Sequence, residues 1–127
     1  MSDLKPKGSR IVFDGEEREL LFTLNAVEQL QEETDLPLDA LMQQFLQEDT
    51  ERMLLVILRI LLNDEAERRQ YFENKELPRY EEKDMRWLVT MSNIVEYITA
   101  VLEAYGISMP KAEEDAVPNS PSGNTKK

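Results

Sequence analysis

The sequence predicts a mainly α-helical domain: an N-terminal β-hairpin followed by a compact bundle of about five helices. Asp14 and Gly15 lie between two runs of β-forming residues, which is a strong signal for a hairpin turn. Further along the chain, apolar side chains recur at helical spacing. The clearest amphipathic stripe consists of Leu38, Leu41, Met42, Phe45 and Leu46. The length of 127 residues fits a single domain.

The chain divides into a predicted folded body and two polar tails. Residues 1–9 contain Pro6 and Gly8 and show no periodicity, and residues 108–127 hold three of the six prolines. Neither segment has the apolar side chains needed to offset the entropy lost on ordering, so both are expected to be disordered. The folded domain is therefore predicted over residues 10–107.

The first elements of the body follow from turn and capping residues. Strands are predicted at about 10–14 and 17–23, and an isolated hairpin of this size must pack on helices or on another chain. Asn25 and Glu28 have capping-box chemistry and predict a helix over about 26–34. A second helix then begins at Pro37, which suits a first helical turn, and it carries the stripe described above.

The most apolar segment is Met53–Leu62, in which Arg59 is the single polar residue. A helix that is apolar on every side is either buried or part of an interface. We interpret this segment, which Asp49 or Thr50 would cap, as the core helix, with Arg59 reaching the rim along its aliphatic stem. The alternative is a self-association face, which would make the protein a homo-oligomer.

The remaining helices are predicted from breakers and caps. A short helix near 65–73 precedes a loop that contains Pro78, and a further helix spans about 81–90. The last helix begins near Asn93, which with Glu96 repeats the capping chemistry. Gly106 is expected in the left-handed conformation that often ends a helix.

The aromatic side chains are interpreted mainly as packing residues. Tyr71 and Phe72 are possible anchors of the short helix. Tyr80 and Trp87 flank a junction between loop and helix, and an interface anchor is the alternative for that pair. The residues interpreted as packing are Tyr71, Tyr80, Trp87, Tyr97 and Tyr105.

Composition disfavours several classes of function. The chain has 26 acidic and 15 basic residues, a net charge of −11, which disfavours binding to nucleic acids and to anionic membranes. It has no Cys and no His, so disulfides, thiolate nucleophiles, imidazole bases and the usual zinc ligands are absent. We therefore predict neither enzymatic activity nor a cofactor or metal site. The longest apolar run has six residues, too short for a membrane span.

Acidic residues concentrate in the first half of the body. Residues 11–51 contain twelve acids and one base, a net charge of −11, whereas residues 52–107 contain ten acids and eight bases, a net charge of −2. This asymmetry is typical of a solvated acidic half. The alternative is an acidic surface that meets a basic partner.

The order of these elements resembles the tail assembly chaperones of long-tailed bacteriophages and related gene transfer agents. In that family a short hairpin leads into a helix with two apolar positions, a Glu, a Gly or Asp, and then Pro-Leu. The resemblance covers about residues 10–107. The matching residues here are Val27, Leu30, Glu33, Asp35, Pro37 and Leu38.

The resemblance implies a non-enzymatic role in virion morphogenesis. Such chaperones bind the tape measure protein, are thought to keep it soluble and recruit tail tube subunits around it. They act in the cytoplasm of the bacterial host and are not part of the mature virion. An amphipathic helix suits the task of covering apolar stripes on a helical partner. The candidate partner-binding residues are Leu38, Leu41, Met42, Phe45 and Leu46.

Two alternatives from other classes fit the acidic, helical character of the chain. One is an acidic inhibitor that mimics DNA, which requires carboxylates spaced like phosphates on one exposed face. The other is a secretion-type chaperone or adaptor.

Overall fold

The structure is a computed structural model that describes residues 8–108. Its described part consists of a two-stranded antiparallel hairpin followed by five helices, which confirms the predicted fold class. The first strand includes Ser9 and the last helix includes Ser108, so the folded part extends one residue beyond the predicted body at each end. Residues 1–7 and 109–127 of the predicted tails lie outside the described residues. The elements are β1 Ser9–Phe13, β2 Glu16–Leu20, α1 Leu24–Thr34, α2 Leu38–Gln47, α3 Thr50–Glu73, α4 Glu82–Leu88 and α5 Ile94–Ser108.

The hairpin turn forms at the predicted residues. Asp14 and Gly15 have φ values of 54° and 79°, the positive values that a two-residue turn between twisted strands requires. The strands pair from Ser9 opposite Leu20 to Phe13 opposite Glu16. β2 ends at Leu20 rather than at residue 23, since the chain turns there to enter α1.

Both outer edges of the hairpin are covered by side chains from helices. On β2, the Glu19 amide donates to a carboxylate oxygen of Glu65 in α3 at 3.1 Å. On β1, the Val12 carbonyl accepts from the Tyr97 hydroxyl of α5 at 3.0 Å. These bonds occupy edge groups that would otherwise be available to another strand, and they anchor the hairpin between α3 and α5.

α3 is the central helix of the domain, and it contacts β2, α1, α2, α4 and α5. The segment Met53–Leu62 forms the centre of the core, which confirms its interpretation as a core helix rather than a self-association face. Its fully or almost fully buried residues are Met53, Leu54, Ile57, Leu58, Ile60, Leu61 and Leu62. Arg59 leaves the core as predicted and pairs with Glu33 of α1.

The prediction of a separate short helix near 65–73 is wrong, because α3 runs without a break from Thr50 to Glu73. The polar residues after Leu62 suggested an end to the core helix. Asp64 and Glu65 are in fact buried, and partners from other elements satisfy their carboxylates. α3 ends at Glu73, and Asn74 after it has a φ of 55°, the left-handed conformation that often follows a helix.

Three predicted helix ends differ from the structure. α1 is capped by Thr23, whose hydroxyl accepts from the Ala26 amide at 3.0 Å, and Asn25 bonds to α3 instead. Gly106 lies inside α5, and within residues 8–108 Gly15 is the only glycine with positive φ. Asn93 does precede α5, but its side chain bonds to residues before it in the chain. Its Oδ1 accepts from the Thr90 amide and its Nδ2 donates to the Leu88 carbonyl.

Candidate protein-binding groove

A buried ion pair joins the hairpin to α3. The Arg18 guanidinium is fully buried and donates from Nε to Glu65 Oε1 at 2.7 Å. It also donates to the carbonyls of Leu62 at 2.9 Å and Pro78 at 3.3 Å. Its carbon Cζ lies 5.9 Å from the ring centroid of Tyr80, within the range of a cation–π contact. The buried Arg18 guanidinium is therefore paired with a carboxylate and also bonded to two backbone carbonyls.

The second oxygen of Glu65 extends the network to the surface. It accepts from the Glu19 amide and from Arg69 Nε at 3.3 Å. Arg69 in turn bonds Glu73 at 2.8 Å. Partial burial lowers the pKa of Arg69, but the bonds to Glu73 and Glu65 outweigh it and leave the pKa above its ordinary value. These contacts hold the second half of α3 against the hairpin.

Asp64 fixes the start of α1 on α3. Its carboxylate accepts from the Thr23 hydroxyl at 2.9 Å and from the Asn25 amide at 2.8 Å. Arg68 lies one helical turn later, with a guanidinium nitrogen 3.9 Å from Asp64 Oδ2 and another 3.9 Å from Glu19 Oε1. Both terminal nitrogens of Arg68 are buried and make no hydrogen bond.

An exposed apolar groove lies on top of this network, between the start of α1 and the last turns of α3. Leu24, Tyr71 and Phe72 are exposed by 77%, 81% and 74%, and they line a cavity of about 520 Å³. The two rings meet edge to face with centroids 4.8 Å apart. Thr23, Asn25, Asp64, Glu67 and Arg68 complete the lining. We call this surface the aromatic groove; an exposed cluster of this kind marks interaction sites.

The aromatic groove continues into an acidic surface. Glu28 and Glu32 follow Leu24 at intervals of four residues, so the three lie on one face of α1, and both acids are exposed. No Lys or Arg occurs between Arg18 and Arg52. A ligand that inserts apolar side chains into the groove and extends along α1 therefore meets negative charge.

The structure places most of the candidate partner-binding residues of α2 in the domain's own core. Leu41, Met42 and Phe45 are buried, Leu38 is half-buried and Leu46 is exposed. The amphipathic stripe is the face of α2 that packs against α1 and α3. Partner binding by these five residues stays a prediction, and in the described conformation Leu46 alone offers a large exposed surface.

The aromatic residues divide into two groups. Tyr80 and Tyr97 are buried against Phe13, with ring centroids 5.2 and 5.4 Å away, as predicted for packing residues. Burial raises the pKa of both phenols, with nearby Asp14 and Glu96 adding to the rise. Tyr105 is half-buried and packs edge to face on Phe22.

For Tyr71 and Trp87 the packing interpretation is wrong, because both side chains are largely exposed. Phe72 does not anchor its helix either. The sequence carried one usable signal: Tyr71 and Phe72 have no apolar residue three or four positions away on the C-terminal side. No such sequence signal marked Leu24 as exposed, because its exposure depends on α1 beginning at that residue.

Comparisons with known protein families, with characterised proteins and with solved structures found no match for this chain. Within residues 8–108 no three acidic side chains are grouped so as to hold a metal ion. In the same range, none of the helices combines the length and the apolar character needed to cross a bilayer.

Proposed function

We propose that the protein is a binding protein for a helical partner and that the aromatic groove is its contact site. The observation that carries this proposal is the exposure of Leu24, Tyr71 and Phe72 around one cavity, above the buried carboxylates of Asp64 and Glu65. Exposed aromatic rings on a rigid support provide contact area at low entropic cost. The network at Asp64 and Glu65 keeps α1 and α3 in register beneath them.

The chemistry of the groove defines the partner. Its apolar residues match the stripe of an amphipathic helix, and the acids on α1 match Lys or Arg beside that stripe. Glu67 at the rim adds to the negative charge. The partner is therefore an apolar, basic-flanked helical segment, and charge acts mainly on association rate.

The resemblance over residues 10–107 supports the proposal that this binding protein is a phage tail assembly chaperone. Its partner is then the tape measure protein, a long helical chain with apolar stripes, around which tail tube subunits are recruited. Its place of action is the host cytoplasm during morphogenesis, before the mature virion. The secretion-type chaperone remains the alternative, since the same groove chemistry would serve it.

The experiment is co-expression of the full chain with the tape measure protein encoded nearest to its gene, followed by pull-down. We expect a complex that keeps the partner soluble and survives about 0.5 M salt, at which the Debye length falls to roughly 4 Å. The variant Tyr71→Ser/Phe72→Ser should lose the complex. Trp87→Ser, an equally exposed aromatic outside the groove, is the matched control and should retain it.

Three results would contradict the proposal. One is a tape measure protein that stays insoluble with the wild-type chain. Another is a complex lost equally in the groove variant and in Trp87→Ser. The third is a complex lost at moderate salt together with displacement of DNA from a DNA-binding protein, which would favour the acidic DNA mimic.

A further inference from the structure

Leu24 lies between two residues whose side chains bond to the same carboxylate. Asp64 Oδ2 accepts from the Thr23 hydroxyl at 2.9 Å, and Asp64 Oδ1 accepts from the Asn25 amide at 2.8 Å. Both oxygens of one buried side chain on α3 therefore hold the residues directly before and after Leu24. These two bonds fix the backbone of Leu24 relative to α3.

The Thr23 hydroxyl connects this carboxylate to the first turn of α1. It donates to Asp64 while it accepts from the Ala26 amide at 3.0 Å, so one oxygen atom both caps α1 and attaches it to α3. The backbone is bonded as well, because the Thr23 amide donates to the Leu21 carbonyl at 3.0 Å and the Val27 amide donates to the Thr23 carbonyl at 2.9 Å. The chain around Leu24 is therefore constrained on both sides before a partner binds.

Leu24 depends on this attachment more than the other apolar residues of the aromatic groove do. Tyr71 and Phe72 are side chains of α3 itself, whereas Leu24 is carried by α1. The position of Leu24 relative to the two rings is therefore set by how the start of α1 is attached to α3. Its side chain is 77% exposed, so packing holds it only weakly. An anchor that is already in place when a partner arrives loses less conformational entropy on binding.

We propose that Asp64 is the positioning residue of the aromatic groove and that it prepares Leu24 for contact with the partner. This inference rests on the proposed function of the groove. Asp64 is almost fully buried, so it acts through Leu24 and not through its own contact with the partner. When the carboxylate is removed, binding has to order the start of α1 first, and the affinity is expected to fall about three- to tenfold.

The first experiment measures the order of the free protein by backbone ¹⁵N relaxation. In the wild-type chain the Leu24 amide should have an order parameter near the rigid value of about 0.85, and in Asp64→Ala it should fall towards about 0.6. Asn25→Ala removes one of the two bonds at an exposed position and should give an intermediate value. This second variant keeps the test decisive if Asp64→Ala fails to fold.

Asn63→Ala is the matched control for a purely structural effect. The Asn63 side chain also makes two bonds from α3 to another segment, to the carbonyl and the amide of Tyr80 at 2.8 Å each. Tyr80 does not line the aromatic groove. Asn63→Ala should therefore destabilise the domain, as Asp64→Ala does, but leave the order parameter of Leu24 unchanged.

The second experiment measures binding of an amphipathic helical peptide of Leu, Ala and Lys, about 18 residues long, by isothermal titration calorimetry. Asp64→Ala should weaken binding about three- to tenfold, and Asn63→Ala less than about twofold. In a Leu24→Ala background the loss caused by Asp64→Ala should vanish, because the positioned side chain is gone. In a Tyr71→Leu background the loss should persist.

The proposal is overturned if Leu24 keeps its order in both Asp64→Ala and Asn25→Ala, or if Asp64→Ala costs the same affinity with and without Leu24. Equal losses of affinity in Asp64→Ala and Asn63→Ala would also overturn it. Failure of the proposed function gives a different result: the wild-type chain binds no peptide although Asp64→Ala still mobilises Leu24. Asp64 would then have a structural role alone.

Discussion

The two halves of α3 are stabilised by different interactions. From Met53 to Leu62 the helix is enclosed by apolar side chains of the hairpin, α1 and α2. From Asn63 to Glu73 its buried groups include two carboxylates, and its large apolar side chains face solvent. One continuous helix therefore serves as core in its first half and as a charged support for an exposed surface in its second. The difference shows that apolar residues on a central helix do not all belong to the core.

The largest expected effect is in the apolar half. Leu58→Asp places a carboxylate at a fully buried position, which should cost more than about 4 kcal/mol and abolish cooperative unfolding or cause aggregation. The control Tyr71→Asp introduces the same side chain in the other half of α3 and should unfold near the wild-type temperature. Thermal denaturation followed by circular dichroism measures both; a folded Leu58→Asp protein with native stability would contradict the core assignment.

The next largest effect is at the ion pair that holds the second half. Arg18→Met leaves Glu65 buried without its main partner, so the free energy of unfolding should fall by about 3–5 kcal/mol. The double variant Arg18→Met/Glu65→Met removes both charges and should recover part of that loss. Urea denaturation measures each variant. If the double variant is less stable than Arg18→Met alone, the buried charge is not the cause.

Alkaline pH tests the phenols that pack beside this ion pair. Burial raises the pKa of Tyr80 and Tyr97, so the folded chain retains phenolic protons that the unfolded chain has lost. Their stabilisation is fully present below the ordinary tyrosine pKa of about 10 and is lost as pH rises through the folded-state pKa values. The free energy of unfolding should therefore decline above about pH 10.

Conservative variants isolate this effect. Tyr80→Phe/Tyr97→Phe should flatten the decline, while Tyr71→Phe, at an exposed position, should leave it unchanged. A decline of the same size in all three proteins would assign it to other groups. Urea denaturation across the alkaline range provides the measurement.

The groove residues should affect binding and leave stability nearly unchanged. Tyr71→Ser/Phe72→Ser removes one exposed ring–ring contact, so the free energy of unfolding should stay within about 1 kcal/mol of the wild type. Urea denaturation of the free protein checks this value. A loss of several kcal/mol would place the two rings in the core and remove the distinction between the halves of α3.

The smallest effect is expected at Arg68. The variant Arg68→Met supplies a similar apolar stem and removes the guanidinium, whose terminal nitrogens make no hydrogen bond. The free energy of unfolding should therefore change by less than about 0.5 kcal/mol. Arg69→Met is the comparison and should cost more, since Arg69 bonds both Glu65 and Glu73. Equal losses in the two variants would mean that Arg68 is stabilised by its carboxylate neighbours at 3.9 Å.

Local pattern in the sequence was enough to predict the hairpin, the amphipathic α2 and the core segment Met53–Leu62. These features depend on turn geometry and apolar periodicity, which neighbouring residues determine. The continuity of α3 was not predictable in this way, because Glu65 is satisfied by Arg18, 47 positions earlier in the chain. A buried carboxylate and an exposed one look alike in a sequence when their partners lie so far apart.

The candidate site was also predictable only where it depends on local sequence pattern. The α2 stripe was read correctly as amphipathic, but periodicity alone does not say whether an apolar face meets the chain's own core or a partner. The aromatic groove combines Leu24 with Tyr71 and Phe72, residues that only the packing of α1 on α3 brings together. Its acidic flank was visible from charge counting alone.

The contact between the first strand and the last helix has a consequence for synthesis on the ribosome. The Ser9 hydroxyl donates to the Ala100 carbonyl at 2.7 Å, a bond that spans 91 positions, and β1 packs along α5. At about 5–20 residues per second, α5 is made roughly 5–20 seconds after β1. α3 is made earlier and can already dock on β2 during that interval, whereas the contacts of β1 with α5 form only after α5 has been made, so this side of the domain closes last.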